Sequence, residues 1–366
     1  PADPSAPVSI ADLSGEGVLK LARRHPEAAR QSLRGLGVEA QVQACLEVRP
    51  QSRPEFLMLL DHPEEIVPHL PEAELCVTAR ASGMSETAWL LEMATSEQVQ
   101  ACFDLDCWVG SELSHPRVEE WLSALVEAGE ETMVRAIEAV DPEVWILALR
   151  SAVDVMVISK EEIPPDGWFT LDGVVYLGPH ERVDPSLFRG FLDVAFRNVQ
   201  ARYWQWIYGV LFEHPTECEE FALRWRTGRL ADLGFPELDQ AMRVYRPLRP
   251  EDAPVWDVST PQGALVPAPR LPRQVEGTLL AEALGKLPPQ RAADLLGYVL
   301  AVANAIAVAD KLELSAVESI PQAVSKAVRG IDRGLRELAR TTNRPAHEVL
   351  DTTRPMDLFR IGFLAG

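Results

Sequence analysis

The chain has 366 residues, a hydrophobic content of 47% and a formal net charge of −20 at pH 7. The length and apolar content predict two domains, or one extended array of repeats, around a substantial core. The charge argues against nucleic acid and anionic lipid as partners, because both would be repelled. It favours basic partners or divalent cations, or simply keeps the protein in solution, which is the commonest role of such a charge. The charge is concentrated in residues 1–150, which hold 26 acidic and 11 basic side chains, a net charge of −15.

Cysteine usage and hydropathy bear on the location of the protein. The five cysteines are odd in number and form no CxxC pair, which favours reduced, buried thiols. No apolar run approaches the roughly 18 residues that a membrane helix needs, and the first residues lack the features of a signal peptide. We therefore expect a cytoplasmic protein without membrane insertion.

The first half of the chain contains an exact repeat. Residues 1–14 are rich in proline, alanine and serine, and we expect them to be flexible. Residues 15–151 are expected to form an acidic helical-repeat domain, in which Gln-Val-Gln-Ala-Cys occurs at Gln41–Cys45 and again at Gln98–Cys102. Such a repeat predicts stacked helical units, each too small to bury its own apolar face, as in an α-solenoid.

Proline marks several predicted helix starts in this region. It stands at the first helical position, where its missing N–H leaves no hydrogen bond unmade. The dipeptides concerned are His25-Pro26, His62-Pro63, His115-Pro116 and Asp141-Pro142. The spacing of these dipeptides predicts short helices throughout the repeat domain.

The pattern changes at residue 152, where we expect a second domain, residues 152–246, built from a β-hairpin and a long helix. Apolar residues alternate from Val153 to Val157, as in a strand. Asp172-Gly173 between apolar residues predicts a tight type I′ turn with positive φ at Gly173. In the resulting register one face is shared by Phe169, Leu171, Val174 and Tyr176.

A long helix over residues 184–213 is predicted to cover this hairpin, because its apolar residues recur at helical spacing. Trp204 and Tyr208 add apolar surface on a second face near its end. We therefore expect that end of the helix to be buried on two sides. Another helix is predicted over residues 236–245.

Residues 247–272 hold seven prolines and are expected to form a linker, or an ordered strap anchored by Val255 and Trp256. Residues 273–366 are predicted to be helical and to pack on the preceding domain. Within them Leu295–Ala309 is almost entirely apolar, with Asn304 as its one strongly polar residue, which predicts a central buried helix. The predicted fold is thus mainly α: stacked helical repeats, α-solenoid-like, followed by a helical domain with a small β-hairpin element.

Four stretches resemble a family of bacterial proteins of unknown function, known mainly from deltaproteobacterial genomes: Gln98–Trp108, Arg229–Pro236, Ala301–Leu312 and Asp357–Arg360. Each is a packing motif, so the resemblance implies no activity, ligand or functional residue. Residues 20–150 are also similar to the helical-repeat cytosolic domain of MgtE-type magnesium transporters, which stacks short helices opened by Pro-Glu. The membrane part of those transporters has no counterpart in this sequence, so the similarity implies no transport role.

Carboxylates supply the candidate site residues. Asp104 and Asp106 follow the second repeat, Glu112 lies nearby, and Glu119 and Glu120 stand at the start of the next helix. Carboxylates at a helix end can offer oxygen ligands to Mg²⁺ or Ca²⁺, which makes Asp104 and Asp106 the candidate metal ligands. Because aspartate at such a position is more often solvated, we expect the five residues to form an acidic rim that contacts a protein partner.

Motif spacing supports no other chemistry. Four of the seven histidines precede proline, and neither HExxH nor a two-histidine-plus-carboxylate pattern occurs. No GxSxG nucleophile motif and no phosphate-binding glycine loop is present. Arg224-Trp225-Arg226 mixes basic and aromatic residues as nucleic-acid modules do, yet ion pairing with the acidic repeats is the favoured interpretation. The sequence therefore predicts no cofactor and no catalytic residue.

Three functions are compatible with these features. The favoured one is a non-enzymatic helical-repeat scaffold or adaptor that binds another protein along a groove of the N-terminal helices. The alternatives are a regulatory module that senses a divalent cation, and an enzyme with a pocket near residues 153–245. Carboxylates clustered without basic partners would support the second function, and a deep pocket with convergent polar groups would support the third.

Overall fold

The computed structural model describes residues 14–158, 163–181, 184–256 and 275–365. In these ranges the chain is mainly helical, as predicted, and its helices are α1 (Gly15–Ala22), α2 (Pro26–Arg34), α3 (Val38–Glu47), α4 (Arg53–Leu57), α5 (Glu72–Ser82), α6 (Ala88–Met93), α7 (Ser96–Asp106), α8 (His115–Ala128), α9 (Glu130–Ala139), α10 (Pro142–Ala152), α11 (Pro185–Asn198), α12 (Gln200–Phe212), α13 (Pro215–Asp232), α14 (Leu238–Ala241), α15 (Leu279–Leu284), α16 (Pro289–Ala309), α17 (Ser319–Thr342), α18 (Ala346–Thr352) and α19 (Pro355–Leu364). Short 3₁₀ turns lie at Pro50–Ser52, Pro63–Glu65, Val67–His69, Met84–Glu86, Met242–Tyr245 and Pro250–Asp252. Two small antiparallel sheets contain the strands β1 (Trp108–Val109), β2 (Glu112–Leu113), β3 (Val153–Val157), β4 (Phe169–Thr170) and β5 (Val175–Pro179).

Most of the predicted helix starts are present. α2 and α10 begin at Pro26 and Pro142, and α8 begins at His115, directly before its proline. The start predicted after His62 opens only the single 3₁₀ turn Pro63–Glu65. Pro68 follows within one turn and has no N–H to donate, so an α-helix cannot continue there.

The two copies of the repeat lie in α3 and α7, and their valine and cysteine side chains are buried in both. Cys45 and Cys102 are both 0% exposed, and Val42 and Val99 are 7% and 1% exposed. All four side chains therefore face the interior from equivalent positions of their helices. This agrees with the predicted equivalence of the two units.

The first glutamine of each copy makes the same kind of contact. Its side-chain amide donates to two backbone carbonyls, three residues apart, at the end of a helical segment earlier in the chain. The contacts are those of Gln41 Nε2 with the oxygens of Leu33 and Leu36, at 3.1 and 2.9 Å, and those of Gln98 Nε2 with the oxygens of Val67 and Leu70, at 2.8 and 2.7 Å. Each glutamine thus adds a side-chain hydrogen bond to two carbonyls of the last turn of a helical segment.

The predicted hairpin belongs to a three-stranded antiparallel sheet in the order β3-β5-β4. β3 pairs with β5 along its whole length, from Val153 opposite Pro179 to Val157 opposite Val175. Gly173 has a φ of +75°, as predicted for a turn residue. The strand predicted at residues 153–157 and the positive φ of Gly173 are therefore confirmed. The type I′ turn is wrong, because it requires positive φ at Asp172 as well, and Asp172 is not among the described residues with positive φ.

The predicted register of this hairpin is wrong by one residue, because Phe169 lies opposite Leu177 instead of Tyr176. The Asp172 carboxylate explains the longer loop: its Oδ1 accepts the N–H groups of Val174 and Val175, both at 2.7 Å. A shift of one residue turns a strand over. The buried residues of β5 are accordingly Val175 and Leu177, at 3% and 0% exposure, whereas Val174 is 51% exposed.

The single long helix predicted over residues 184–213 is also wrong, since it is two helices, α11 and α12. Val199 between them has φ −134° and ψ 52°, outside the helical region. Asn198 favours the break, because its side-chain amide donates to the Val194 carbonyl at 3.1 Å, close to where α11 ends. The helix predicted over residues 236–245 is likewise shorter and consists of α14 and the 3₁₀ turn Met242–Tyr245.

The chain divides into two compact units, Pro1–Arg226 and Thr227–Gly366. The predicted boundary after residue 151 lies inside the first unit, and the one after residue 246 lies inside the second. In the second unit the central buried helix is confirmed as α16. Its Asn304 is 5% exposed and donates through Nδ2 to the Gly234 carbonyl at 3.1 Å, which satisfies the one polar side chain in that stretch.

α16 is also long and apolar enough to cross a membrane, by length and composition alone, and half of the relevant stretch is buried. The expectation that no segment reaches this length was therefore wrong. α16 packs against α17 and α19 within the second unit. One such helix is weak evidence for a membrane, because a buried core helix has the same composition.

Two predicted segments fall largely outside the described residues: the flexible segment 1–14 and the linker or strap 247–272. The two predicted anchors of the strap are described. Trp256 is 7% exposed, its backbone N–H donates to the Thr352 carbonyl at 2.9 Å, and the Arg291 guanidinium lies 4.7 Å from its ring centroid. Val255 is 84% exposed and anchors nothing.

Candidate functional site

The predicted acidic residues do not form one surface. Asp104 and Asp106 are 1% and 0% exposed, because α7 is enclosed by α5, α8 and α9. Glu112 and Glu120 are exposed, and Glu119 is half-buried. The prediction of a five-residue acidic rim is therefore wrong for the two aspartates, since neither can reach a partner at the surface.

Asp106 is the centre of a buried ion-pair network. Its Oδ2 accepts the indole N–H of Trp121 at 2.7 Å and lies 3.3 Å from Arg80 Nε. Its Oδ1 lies 3.4 Å from Arg117 Nη1. A carboxylate held by two guanidinium groups is poorly suited to a cation, which would have to displace them. In the described ranges no group of three or more His, Cys, Asp or Glu side chains could hold a metal ion.

Asp104 is also engaged inside the protein. Its Oδ1 accepts Gln100 Nε2 at 3.1 Å, and its backbone carbonyl accepts Arg226 Nε at 2.7 Å. The Arg226 guanidinium lies 5.3 Å from the ring centroid of Trp108. Arg226 thus contacts the repeat region through a backbone carbonyl and an aromatic ring, and its predicted ion pairing stays a prediction. Its neighbour Trp225 is 55% exposed.

The three glutamates of the predicted rim differ among themselves. Glu120 forms a salt bridge with Arg80, which also pairs with Asp106. Burial raises the pKa of Glu119, and the negative charge of Asp184 raises it further. Glu112 lies on β2 and is exposed. Only Glu112 and Glu120 therefore present a carboxylate openly to solvent.

A polar cluster that the sequence did not predict lies where α10 meets β3. Ser151 Oγ lies 2.7 Å from His115 Nδ1 and also 2.7 Å from the carbonyl oxygen of Ala148. His180 Nδ1 lies 2.8 Å from the Ser151 carbonyl, and its Nε2 lies 3.3 Å from Asp154 Oδ1. These residues are far apart in sequence and match no motif, so only the tertiary structure brings them together.

The chemistry of this cluster is mainly structural. The backbone carbonyl of Ser151 and the carboxylate of Asp154 raise the pKa of His180, because the imidazolium can donate to both. Burial lowers the pKa of His115. The Ser151 hydroxyl has one proton, and the Ala148 carbonyl competes with His115 for it. In the described part of the chain no carboxylate hydrogen-bonds to His115, so the pair lacks the third group that orients a catalytic base.

The most exposed aromatic surface of the first unit lies on α12. Trp204, Tyr208 and Phe212 follow each other one helical turn apart, with ring centroids separated by 6.0 Å at each step. Tyr208 is 57% and Phe212 is 74% exposed. The prediction that this end of the helix is buried on two sides is therefore wrong. We call these three residues the aromatic stripe.

The opposite face of α12 fixes the position of the aromatic stripe. Trp206 is 0% exposed, and its ring stacks on Phe191 at 5.5 Å and lies 5.8 Å from Trp145. Arg150 donates to the carbonyls of Gly209 and Glu213, at the C-terminal end of α12. The helix is thus held by a rigid aromatic core and a side-chain cap.

An acidic stretch follows the aromatic stripe directly. Residues 212–223, which we call the acidic segment, contain four glutamates and no lysine or arginine. These glutamates, all exposed, are Glu213, Glu217, Glu219 and Glu220. Phe221 and Trp225, one turn apart on α13, are 49% and 55% exposed, whereas Cys218 and Ala222 form the buried face. Exposed aromatic rings and exposed glutamates therefore alternate along the sequence from Tyr208 to Trp225.

Fold and surface together define a mainly helical protein with a candidate interaction surface. The chain belongs to a family of unknown function (DUF6178), whose family model matches residues 30–365. This confirms the predicted resemblance to a family of unknown function. Comparisons with curated proteins and with solved structures gave no match.

Proposed function

We propose that this protein is a non-enzymatic helical scaffold or adaptor that binds another protein through the aromatic stripe on α12. The observation that carries the proposal is the row of three rings on the face of α12 opposite the core, in which Trp204 is half-buried and Tyr208 and Phe212 are exposed. Contiguous exposed apolar surface on a folded protein commonly marks an interaction site, and aromatic residues are enriched in interfaces. A rigid helix that presents such a row needs little reorganisation on binding.

The charge of the chain supports a basic partner. A net charge of −20 attracts basic proteins and repels nucleic acid and anionic lipid. Glu112 and Glu120 are at the surface and stay proposed contacts, since they are the accessible part of the predicted acidic rim. The partner would thus meet aromatic rings and exposed carboxylates of the first unit.

Other parts of the proposal concern origin and location. We propose a cytoplasmic, bacterial protein, supported by five free, buried cysteines and by the resemblance to deltaproteobacterial sequences. We also propose that residues 20–150 share the stacked-helix architecture of the helical-repeat domain of MgtE-type transporters, without any transport role.

The two alternative functions have weaker support. A cation sensor would need free carboxylates, whereas Asp106 is paired with Arg80 and Arg117. An enzyme would rest on Ser151 and His115, whose contact fits an ordinary side-chain cap near the end of α10. Neither is therefore preferred to a binding function.

The proposal is tested by capturing partners from a lysate of the source organism with two matched variants. Tyr208→Ser with Phe212→Ser removes the most exposed rings of the aromatic stripe. Met58→Ser with Ile163→Ser removes apolar side chains that are 60% and 93% exposed elsewhere on the chain. We expect a protein that copurifies with the wild type and with the control variant, but not with the stripe variant.

Both variants should keep the helical circular dichroism spectrum, because all four positions are exposed. A partner set that is the same for the wild type and the stripe variant would contradict the proposal.

A further inference from the structure

We infer that the aromatic stripe and the acidic segment together receive a basic amphipathic helix of the partner protein. This inference rests on the proposed binding function and names the partner's chemistry. It is carried by two observations. The first is a row of three rings at one-turn spacing, of which Tyr208 and Phe212 are exposed. The second is the stretch that follows in the sequence, which has exposed glutamates and no lysine or arginine.

The spacing of the rings suits another helix. The centroids of Trp204, Tyr208 and Phe212 are 6.0 Å apart at each step, which is the separation of residues four apart on any α-helix. Apolar side chains of a second helix at the same spacing can pack between the rings, as ridges pack into grooves. Recognition of a helix in this way needs apolar anchors at positions i, i+3 or i+4, and i+7 of the partner.

The charges determine the polar face of the partner. Glu217, Glu219 and Glu220 are exposed on the first turns of α13 and form no salt bridge among the described residues. Lysine or arginine beside the apolar anchors would pair with these carboxylates. The same side chains could lie over the faces of Tyr208 and Trp225, which are 57% and 55% exposed, in cation–π contacts.

The same charges disfavour a second copy of this chain as the occupant. Two copies that meet through this surface would bring the four glutamates of one acidic segment against those of the other, and like charges across an interface are repulsive. Arg202 and Arg224 are the nearest basic residues in the sequence, and they are too few to balance both segments. An anionic membrane is disfavoured for the same reason.

The test uses three fluorescent synthetic peptides of about 18 residues, long enough for a stable amphipathic helix on binding. The first has leucine on one helical face and lysine on the other. The second has the same composition, scrambled so that no face is apolar. The third has glutamate in place of every lysine. Fluorescence anisotropy measures the affinity of each peptide for the full chain.

We expect the leucine–lysine helix to bind at least about tenfold more tightly than either control peptide, and its affinity to fall as salt is added. Tyr208→Ser with Phe212→Ser should weaken it by about tenfold or more. Glu217→Lys with Glu220→Lys should weaken it similarly and should remove most of the salt dependence.

Two control variants test specificity. Met58→Ser with Ile163→Ser, and Glu39→Lys with Glu97→Lys, change exposed residues outside the surface and should bind the peptide like the wild type. Equal binding of the scrambled peptide, or unchanged affinity in either surface variant, would overturn the inference. So would tighter binding of the glutamate peptide or of anionic vesicles, or a dimer in ultracentrifugation that the surface variants dissociate.

The outcomes separate this inference from the proposed function. If no peptide binds but the stripe variant still loses its copurifying protein, the chain binds a partner that is not a basic helix. If the stripe variant keeps every copurifying protein and binds the peptide like the wild type, both proposals fail.

Discussion

The two copies of Gln-Val-Gln-Ala-Cys, in α3 and α7, are identical in sequence but differently enclosed. In the first copy Gln43 is exposed, whereas in the second every residue from Gln98 to Cys107 is buried. α3 packs against α1, α4 and the turn Val67–His69, while α7 packs against α5, α8 and α9. The sequence of a helix thus determines which of its faces is buried. Whether the opposite face is buried as well depends on the elements that pack around the helix.

The difference is sharpest just after the repeat. Asp106 corresponds to Arg49 by position, and the side chain of Arg49 is 78% exposed while that of Asp106 is 0% exposed. The pairing of Asp106 with Arg80 and Arg117 exists only because further helices close around α7. Corresponding positions therefore carry a surface residue in one unit and a buried ion pair in the other.

The largest expected difference between the copies is at this position. Asp106→Asn takes the buried carboxylate away from Arg80 and Arg117 and should lower the free energy of unfolding by about 3 kcal/mol. This is at the low end for a buried pair, because both arginines reach solvent and Arg80 keeps its salt bridge with Glu120. Urea denaturation followed by circular dichroism measures this loss. Arg49→Ala at the corresponding position should change stability by less than about 0.5 kcal/mol. Equal losses at the two positions would show that both copies are enclosed alike.

A smaller difference is expected at the second glutamine of the repeat. Gln100 Nε2 donates to Asp104 Oδ1 at 3.1 Å, and its Oε1 accepts the Asp141 N–H at 3.2 Å, both in the interior. Gln100→Ala should therefore cost about 1–2 kcal/mol, since it removes both hydrogen bonds of a buried side chain. Gln43→Ala, at an exposed position, should be nearly neutral in the same urea titration. A neutral Gln100→Ala would contradict the assigned contacts.

At the first glutamine the two copies should behave alike. Gln41→Ala and Gln98→Ala each remove an amide that donates to two carbonyls, and each should cost about 1 kcal/mol. Gln98 should lose slightly more, because its Oε1 also accepts the Thr95 N–H in a capping box. Thermal unfolding of the two variants side by side measures the difference. A silent Gln41→Ala would break the structural equivalence of the repeats.

The smallest expected effect is on the pH dependence of stability, and it concerns Glu119 on α8, the helix that packs against the second copy. The pKa of Glu119 is raised by burial and by Asp184, so the folded state holds this proton more tightly than the unfolded state does. Stability should therefore fall as pH rises from the ordinary range of glutamate through the raised pKa. Glu119→Gln should flatten this part of the profile of melting temperature against pH. An unchanged profile would show that Glu119 does not titrate differently in the fold.

Local pattern was sufficient for much of the fold. The exact repeat, the proline-marked helix starts and the alternation at Val153–Val157 all gave the element types that the structure contains. The length of a turn and the point at which a helix breaks were not predictable in this way, because each depends on the hydrogen bonds of a single side chain. The Asp172 carboxylate lengthened a turn by one residue, and the break at Val199 divided a helix that periodicity alone had made continuous.

The candidate site depended on tertiary structure almost entirely. The sequence located apolar rings on a second face of α12 and carboxylates after α7, but it assigned the rings to the core and the carboxylates to the surface. The structure reversed both: Phe212 is 74% exposed and Asp106 is 0% exposed. Amphipathic spacing shows which residues share a face, yet burial of that face depends on helices far away in the chain.

By itself, the sequence determined the mainly helical class, the equivalence of Gln41 and Gln98, and the inward face of each repeat helix, because these follow from periodicity and local backbone chemistry. Only the tertiary structure decided which aspartates are neutralised by arginine and which aromatic rings stay in contact with water. Both outcomes depend on contacts between side chains that are more than ten residues apart in the chain. The local spacing of residues does not show which of these contacts form.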